Sequence, residues 1–128
     1  MKRGSQPKVA IKRAYDDPSP EDGYRVLVDR LWPRGRSRTA LALDDWAKEL
    51  APSDKLRQWF SHDPERWDAF RERYRKELAI AEQRDRLASL LAASGKSRLT
   101  LVYGAKDEEH NQAVVLREIL LRKHNGKR

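Results

Sequence analysis

Two short apolar runs, and the long stretch between them, constrain the fold of this chain most strongly. Val26-Leu27-Val28 forms the first run, within residues 24–31, and Leu99–Tyr103 forms the second. Continuous apolar runs of this length are typical of strands that are buried on both faces of a sheet. Roughly 65 residues separate the two runs, and a connection of that length permits a parallel crossover. The sequence therefore predicts an α/β protein.

The stretch between the runs carries the signals of several helices. Residues 44–50 are predicted to form a short helix, and Ser53 is predicted to cap the next one, which runs to Phe60. Asp63-Pro64 combines an N-cap with proline at the first helical position. Apolar residues at helical spacing then follow up to Gly95, which ends the pattern. They are Trp67, Phe70, Tyr74, Leu78, Leu87, Leu90 and Leu91.

The two ends of the chain complete the predicted domain. Residues 9–14 alternate apolar and basic side chains, which favours a half-buried strand. Asp107 is predicted to cap a last helix, which carries Val114, Val115, Ile119 and Leu120. We expect a single small domain over residues 8–122, a short and mostly parallel sheet flanked by helices. Residues 1–7 are predicted to be a flexible basic tail and residues 123–128 a second basic tail. The connection between the first two strands is too short for a helical crossover, so their relative orientation stays open.

The charge of the chain is unevenly distributed. Its 28 Lys and Arg residues exceed its 20 Asp and Glu residues, which gives a net charge of +8. The excess lies at the ends, because residues 1–13 carry five basic and no acidic side chains and residues 123–128 carry three basic ones. Such ends attract polyanions without sequence preference, and salt weakens that attraction strongly. The net charge alone therefore does not indicate a nucleic-acid-binding protein.

Composition excludes several kinds of protein. Cysteine is absent, so a disulfide framework, a thiolate nucleophile and a cysteine metal site are excluded. The three histidines have no metal-ligand spacing, and no metal site is predicted. No apolar run approaches the ~18 residues of a membrane span, and none follows the basic start of the chain as in a signal peptide. We expect a cytoplasmic protein.

Two polar segments, each following a predicted buried strand, are the candidate functional site. The first is residues 29–38, which contain four arginines, and the second is residues 103–111, which lead into the last helix. If the strands are parallel, both segments lie at the carboxyl edge of the sheet, where open α/β sheets bind ligands. Asp29 and Asp107 are the candidate general bases. The candidate ligand-binding residues are Arg30, Trp32, Arg34, Tyr103, Lys106 and Asn111.

The chemistry of these side chains suits an anion. Arg30 and Arg34 can hold a phosphate or carboxylate with bidentate hydrogen bonds, and Lys106 adds a point charge. Trp32 offers a flat apolar face to a ring. A structural interpretation fits equally well: there Arg30 pairs with Asp29 or with the acidic loop at 16–22, Trp32 belongs to the core, and Asp107 only caps a helix.

The same segments carry a resemblance to domain-of-unknown-function family 488, in its YeaO-like branch of short bacterial proteins. The matching blocks are residues 23–35 (GYRVLVDRLWPRG) and 101–107 (LVYGAKD), and the resemblance extends over nearly the whole chain. It implies a single α/β domain and no established activity, so it assigns no catalytic residue. Other branches of the family carry a Cys–His pair where this chain has Asn111 and Gln112. Thiol chemistry proposed for those branches therefore does not extend to this chain.

These observations support one leading hypothesis and two alternatives. In the leading hypothesis the protein binds a small anionic ligand, such as a nucleotide or a phosphorylated or carboxylated metabolite, at the carboxyl ends of the strands. The first alternative is a protein that binds or modifies nucleic acid through the arginines of residues 30–38 and the basic ends. The second is a partner-binding module in which the same polar groups form a structural network. Catalysis, cofactor and oligomeric state are left open.

Overall fold

A parallel sheet of four strands forms the centre of the protein. The computed structural model describes the backbone of residues 8–126 and the side chains of residues 8–124. The strands are β1 (Val9–Arg13), β2 (Tyr24–Leu27), β3 (Asp45–Trp46) and β4 (Leu99–Tyr103). Their order across the sheet is β1-β4-β2-β3, and every neighbouring pair is parallel. The predicted α/β class and parallel sheet are confirmed.

Five α-helices and three 3-10 turns connect the strands within the described residues. The helices are α1 (Arg38–Leu41), α2 (Asp54–Phe60), α3 (Trp67–Leu78), α4 (Ala81–Ser94) and α5 (Gln112–Gly126). The 3-10 turns span Pro20–Asp22, Lys48–Leu50 and Pro64–Arg66.

The predicted caps in the middle of the chain are confirmed. The Ser53 hydroxyl accepts a hydrogen bond from the N–H of Leu56 at 3.2 Å, at the start of α2. The Asp63 carboxylate accepts one from the N–H of Glu65 at 3.0 Å, in the turn that leads into α3. Gly95 ends α4 with a positive φ of 58°.

The connection from β1 to β2 crosses the sheet without a helix. Both strands are parallel to β4, which lies between them, so the orientation left open by the sequence is parallel. Residues 14–23 make the return through a turn at residues 14–15, an irregular segment and the 3-10 turn Pro20–Asp22. At its end, Gly23 has a φ of 67°, and a Cβ there would lie 2.3 Å from the carbonyl oxygen of Arg98. Only glycine fits this position without displacing the backbone.

The two faces of the sheet are covered differently. On one face α2 to α5 pack against a large apolar cluster, whose fully buried members include Phe70, Tyr74 and Leu101. On the other face a smaller cluster of Ala14, Leu27, Leu41 and Val102 lies under the crossover segment and α1, with Trp32, Leu43 and Trp46 packed against it. The helix-covered face supplies most of the core, and the loops of the other face bring residues 29–36 to the edge of the sheet.

A buried ion-pair network fixes the smaller face. The guanidinium of Arg25 lies 2.7 Å from the carboxylate of Asp22, and both side chains are at least nine-tenths buried. Lys12 contacts the same carboxylate at 3.1 Å. The remaining N–H groups of Arg25 donate to the carbonyl of Leu41 at 2.7 and 3.0 Å. The charges of the network are paired or hydrogen-bonded, as buried charge requires. The network joins the crossover segment, residues 14–23, to β1 through Lys12, to β2 through Arg25 and to α1 through Leu41.

Two expectations differ from the structure, the helix over residues 44–50 and the helix cap at Asp107. The helix predicted over residues 44–50 is wrong: β3 and the 3-10 turn Lys48–Leu50 occupy that segment, because residues 44–47 pair with β2. Asp107 caps a turn, and α5 begins only at Gln112. At the carboxyl end α5 continues to Gly126, into the predicted basic tail. The predicted tail at residues 1–7, and residues 127–128, lie outside the described residues.

Candidate functional site

A cavity of about 290 Å³ lies at the carboxyl edge of the sheet. Strands β2 and β4 are neighbours and parallel, so the segments that follow them, residues 29–33 and 104–105, meet at this edge. The start of α5 and the residues around α2 close the remaining sides. Its lining comprises Tyr15, Asp29, Arg30, Leu31, Trp32, Pro33, Ala51, Pro52, Arg57, Phe60, His62, Phe70, Gly104, Ala105, Asn111 and Gln112.

Asp29 is the half-buried carboxylate of the cavity. Its Oδ2 accepts a hydrogen bond from the N–H of Gly104 at 2.8 Å, and its Oδ1 accepts one from the side-chain amide of Gln112. Burial raises the pKa of Asp29 to about 6, while the hydrogen bonds from Gly104 and Gln112 act in the opposite direction. A Cβ at position 104 would lie 2.9 Å from Asp29 Oδ2, so a larger residue there would displace the carboxylate from its present position.

No cation compensates the charge of Asp29 among the described residues. The neighbouring Arg30 turns to a different wall, where its guanidinium donates to the carbonyl of Pro52 at 3.2 Å and lies 3.5 Å from Asp54. Arg57 contacts the same oxygen of Asp54 at 3.3 Å. Arg30 therefore pairs neither with Asp29 nor with the acidic loop at 16–22.

Aromatic rings form the apolar part of the cavity. Phe60 from α2 stacks on Phe70 from α3, with ring centroids 4.3 Å apart. The Trp32 ring packs edge-on against Trp46 at 5.4 Å, and its indole N–H donates to the carbonyl of Arg36. Trp32 is half-buried, so it both contributes to the smaller core and borders the cavity.

The amino end of α5 forms a third side. Asn111 is buried, and its side-chain oxygen accepts hydrogen bonds from the N–H groups of Ala113 and Val114 at 2.9 and 3.2 Å. It is therefore the N-cap of α5. Gln112, the next residue, reaches Asp29 and joins the helix to the segment after β2.

The predicted site residues fall into two groups. Asp29, Arg30, Trp32 and Asn111 line the cavity together. The other four, Arg34, Tyr103, Lys106 and Asp107, do not border it.

Each residue of the second group has another environment. Arg34 and Lys106 are exposed, and Tyr103 is buried in the core, where burial raises its pKa. Asp107 accepts hydrogen bonds from the N–H groups of Glu109 and His110 and contacts the His110 ring at 2.9 Å. These hydrogen bonds hold the pKa of Asp107 below its usual value.

Sequence reasoning missed the contribution of α2 and its carboxyl end. Phe60, Arg57 and His62 line the cavity although they lie far along the chain from both polar segments. His62 reaches the rim because Ser61 and His62 both adopt positive φ, of 48° and 59°. Two consecutive non-glycine residues in this conformation have no clear sequence signature. Sequence reasoning also did not predict Gln112, the neighbour of Asn111, as a site residue.

Two kinds of feature are not found in the described part of the chain. No three His, Asp or Glu side chains there are grouped so that they could hold a metal ion. No helix there is long and apolar enough to cross a membrane.

Comparison with known proteins identifies the family. The profile of the inactive DUF488-N3 subclade (DUF488-N3i) matches residues 8–128. The chain belongs to the DUF488 family. This DUF488 chain is 46% identical to "Uncharacterized protein YeaO" of Escherichia coli K12 over 112 residues, which cover 88% of this chain and 96% of the relative.

Mycobacterial relatives are similar over the same extent. "Uncharacterized protein Rv3073c" of Mycobacterium tuberculosis H37Rv and "Uncharacterized protein Mb3100c" of Mycobacterium bovis are each 40% identical to this DUF488 chain. Each match covers 113 residues, 88% of this chain and 93% of the relative. No solved structure matches the chain with significant similarity.

Proposed function

We propose that this DUF488 protein binds a small anionic ligand in the cavity at the carboxyl edge of the sheet. The proposal rests on one observation: two arginine side chains share a single acidic side chain, that of Asp54. Arg30 and Arg57 both contact Oδ1 of Asp54, so one carboxylate faces two guanidinium groups on the same side of the cavity. Two guanidinium groups that share one carboxylate keep N–H groups free for an anion on this wall, and guanidinium groups bind carboxylate and phosphate with directed hydrogen bonds.

The shape and lining of the cavity support a small molecule over a polymer. Its volume of about 290 Å³ lies at the lower end of the range for ligand pockets, ~300–1,000 Å³. Aromatic rings with a few polar groups are the usual lining of such pockets. Of the four arginines of residues 30–38, which the nucleic-acid alternative would use, Arg30 alone borders the cavity.

Two findings favour binding without turnover. The matching subclade of the family is described as inactive. In addition, the family resemblance implies a Cys–His pair in other branches at the positions of Asn111 and Gln112, which in this chain are a helix cap and a hydrogen-bond donor. In this proposal the cavity recognises a ligand, and no bond of that ligand is broken.

The proposal is tested by thermal unfolding of the full chain with phosphate, mononucleotides and small carboxylates. A ligand that binds only the folded state at 100 times its Kd stabilises by about 2.7 kcal/mol, which raises Tm by roughly 10 °C for a domain of this size. We expect such a shift for at least one anion in 0.5 M salt, and its loss in Arg57→Gln. Arg84→Gln, an exposed arginine on α4 outside the cavity, is the matched control. A shift produced only by oligonucleotides and erased by salt would contradict the proposal.

A further inference from the structure

The carboxylate of Asp29 is the least compensated charge in the cavity. Its oxygens accept hydrogen bonds only from neutral donors, the N–H of Gly104 and the amide of Gln112. No Lys, Arg or His side chain among the described residues lies within 4 Å of it. A buried carboxylate is stabilised by a cationic or N–H-donating partner, and each of its oxygens can accept more than one hydrogen bond. The cavity therefore offers an acceptor that its own side chains leave partly unused.

The charge of the opposite sign lies on a different wall. Asp29 is held by the residue after β4 and by the start of α5, whereas Arg30 is held by Pro52 and Asp54 at the start of α2. Arg57 belongs to the same wall as Arg30. One wall thus presents a hydrogen-bond acceptor, the carboxylate of Asp29, and another wall presents the guanidinium groups of Arg30 and Arg57.

The surface between these walls is apolar and partly flat. Phe60 and Phe70 are stacked and both border the cavity, as do Trp32 and Ala105. Phe60 and Phe70 are buried, whereas the indole of Trp32 is half-buried and leaves aromatic surface on which a flat ring can pack. The volume of about 290 Å³ equals that of ~10 water molecules, so one ring system with short substituents fits.

We infer that the ligand is a small flat ring compound with an N–H-donating edge at one end and an anionic substituent at the other. The amide, amidine or amine edge donates to Asp29, the ring lies against the apolar lining at Trp32, and the anion contacts Arg30 and Arg57. The inference rests on the proposed function and deepens it, because it adds a second recognition element to the anion.

A series of matched probes tests the inference on the unmodified protein by isothermal titration calorimetry. 4-Amidinobenzoate carries both groups on one ring, 4-methylbenzoate keeps the ring and the anion, and benzamidine keeps the ring and the N–H edge. A charge-assisted hydrogen bond changes affinity by about tenfold or more, so we expect 4-amidinobenzoate to bind at least tenfold more tightly than either of the others. Guanosine 5′-monophosphate against ribose 5-phosphate repeats the comparison with a longer ligand.

Variants assign each end of the probe to its wall. Asp29→Asn should abolish the advantage of 4-amidinobenzoate over 4-methylbenzoate, and Arg57→Gln should abolish its advantage over benzamidine. Asp85→Asn on α4 is the control for Asp29→Asn and should change neither ratio, because Asp85 lies outside the cavity. Circular dichroism and Tm establish that each variant is folded, and the probe comparison on the unmodified protein stands without them.

Failure of the inference and failure of the proposed function give different results. If 4-methylbenzoate binds as tightly as 4-amidinobenzoate and ribose 5-phosphate as tightly as the nucleotide, the anion site stands and the role of Asp29 is refuted. If benzamidine alone accounts for the affinity, the anion site is refuted. If neither 4-amidinobenzoate nor guanosine 5′-monophosphate binds, the inference is overturned, whereas a salt-resistant Tm shift with another anion would still support the proposed function.

Discussion

Replacing Asp29 with Asn should make the stability of the protein less sensitive to pH between 4.5 and 7.5. The folded state raises the pKa of this carboxyl from 3.8 to about 6, chiefly through burial. At pH values between these two pKa values, the Asp29 carboxyl keeps its proton in the folded protein and has lost it in the unfolded chain. Because the folded state binds more protons there, its stability falls as pH rises through the window and levels off above pH 6.

The magnitude follows from the two pKa values. The full shift corresponds to about 3 kcal/mol, of which about 2 kcal/mol lies between pH 4.5 and 7.5. Asparagine also changes stability in a pH-independent way, because its NH2 group replaces one of the two oxygens that accept from Gly104 and Gln112. That loss is the same at both pH values. The difference in unfolding free energy between variant and wild type should therefore move by about 2 kcal/mol in favour of the variant on going from pH 4.5 to 7.5.

Urea denaturation followed by tryptophan fluorescence measures this quantity, since the chain contains four tryptophans. The comparison with the wild type at each pH cancels the contributions of other carboxyls, such as Asp22 and Glu118, whose pKa values are lowered and whose stabilisation is lost as pH falls. Asp85→Asn, the same substitution on α4 outside the cavity, serves as the matched control. An equal difference for Asp29→Asn at both pH values would refute the argument that burial of this carboxyl opposes its charge.

Three further substitutions test the fold. Arg25→Met leaves the buried carboxylate of Asp22 without its closest cation and should lower the unfolding free energy by about 3–5 kcal/mol in urea denaturation. Gly23→Ala places a Cβ against the carbonyl of Arg98 at a positive φ, so Tm should fall by several degrees, whereas an unchanged Tm would contradict the close approach of these two segments. Tyr74→Phe removes a buried hydroxyl that donates to the 3-10 turn Lys48–Leu50, and should cost about 1–2 kcal/mol in the same denaturation assay.

Local signals in the sequence were sufficient for most of the fold. The apolar runs at β2 and β4, and the caps at Ser53 and Asp63, depend on neighbouring residues and so can be recognised without the structure. The prediction failed at residues 44–50, where a pattern with Trp46 and Leu50 on one helical face is overridden by pairing with β2.

The sequence predicted the position of part of the candidate site, but it did not predict the contacts within the site. Asp29 and Arg30 follow a buried strand, and parallel strands end at a common edge, so their position at a cavity could be inferred. The partner of Arg30 could not, because Asp54 and Pro52 approach it through the packing of α2 and not through any sequence spacing. The same holds for Arg25, an arginine inside an apolar run whose burial depends on Asp22 and the carbonyl of Leu41.

The strand order has a consequence for synthesis of the chain. Strand β4 is the last to be made, yet it lies in the middle of the sheet and is the only neighbour of β1 among the described strands. Until residues 99–103 have left the ribosome, β1 has no strand of this sheet to pair with, and β2 has only the two-residue contact with β3. The helices from α2 to α4 can form as they emerge, but the sheet must wait for nearly the full length of the chain. A nascent chain truncated before β4 therefore exposes the apolar residues of the unpaired β1 and of the free edge of β2, and we expect chaperones to bind it there.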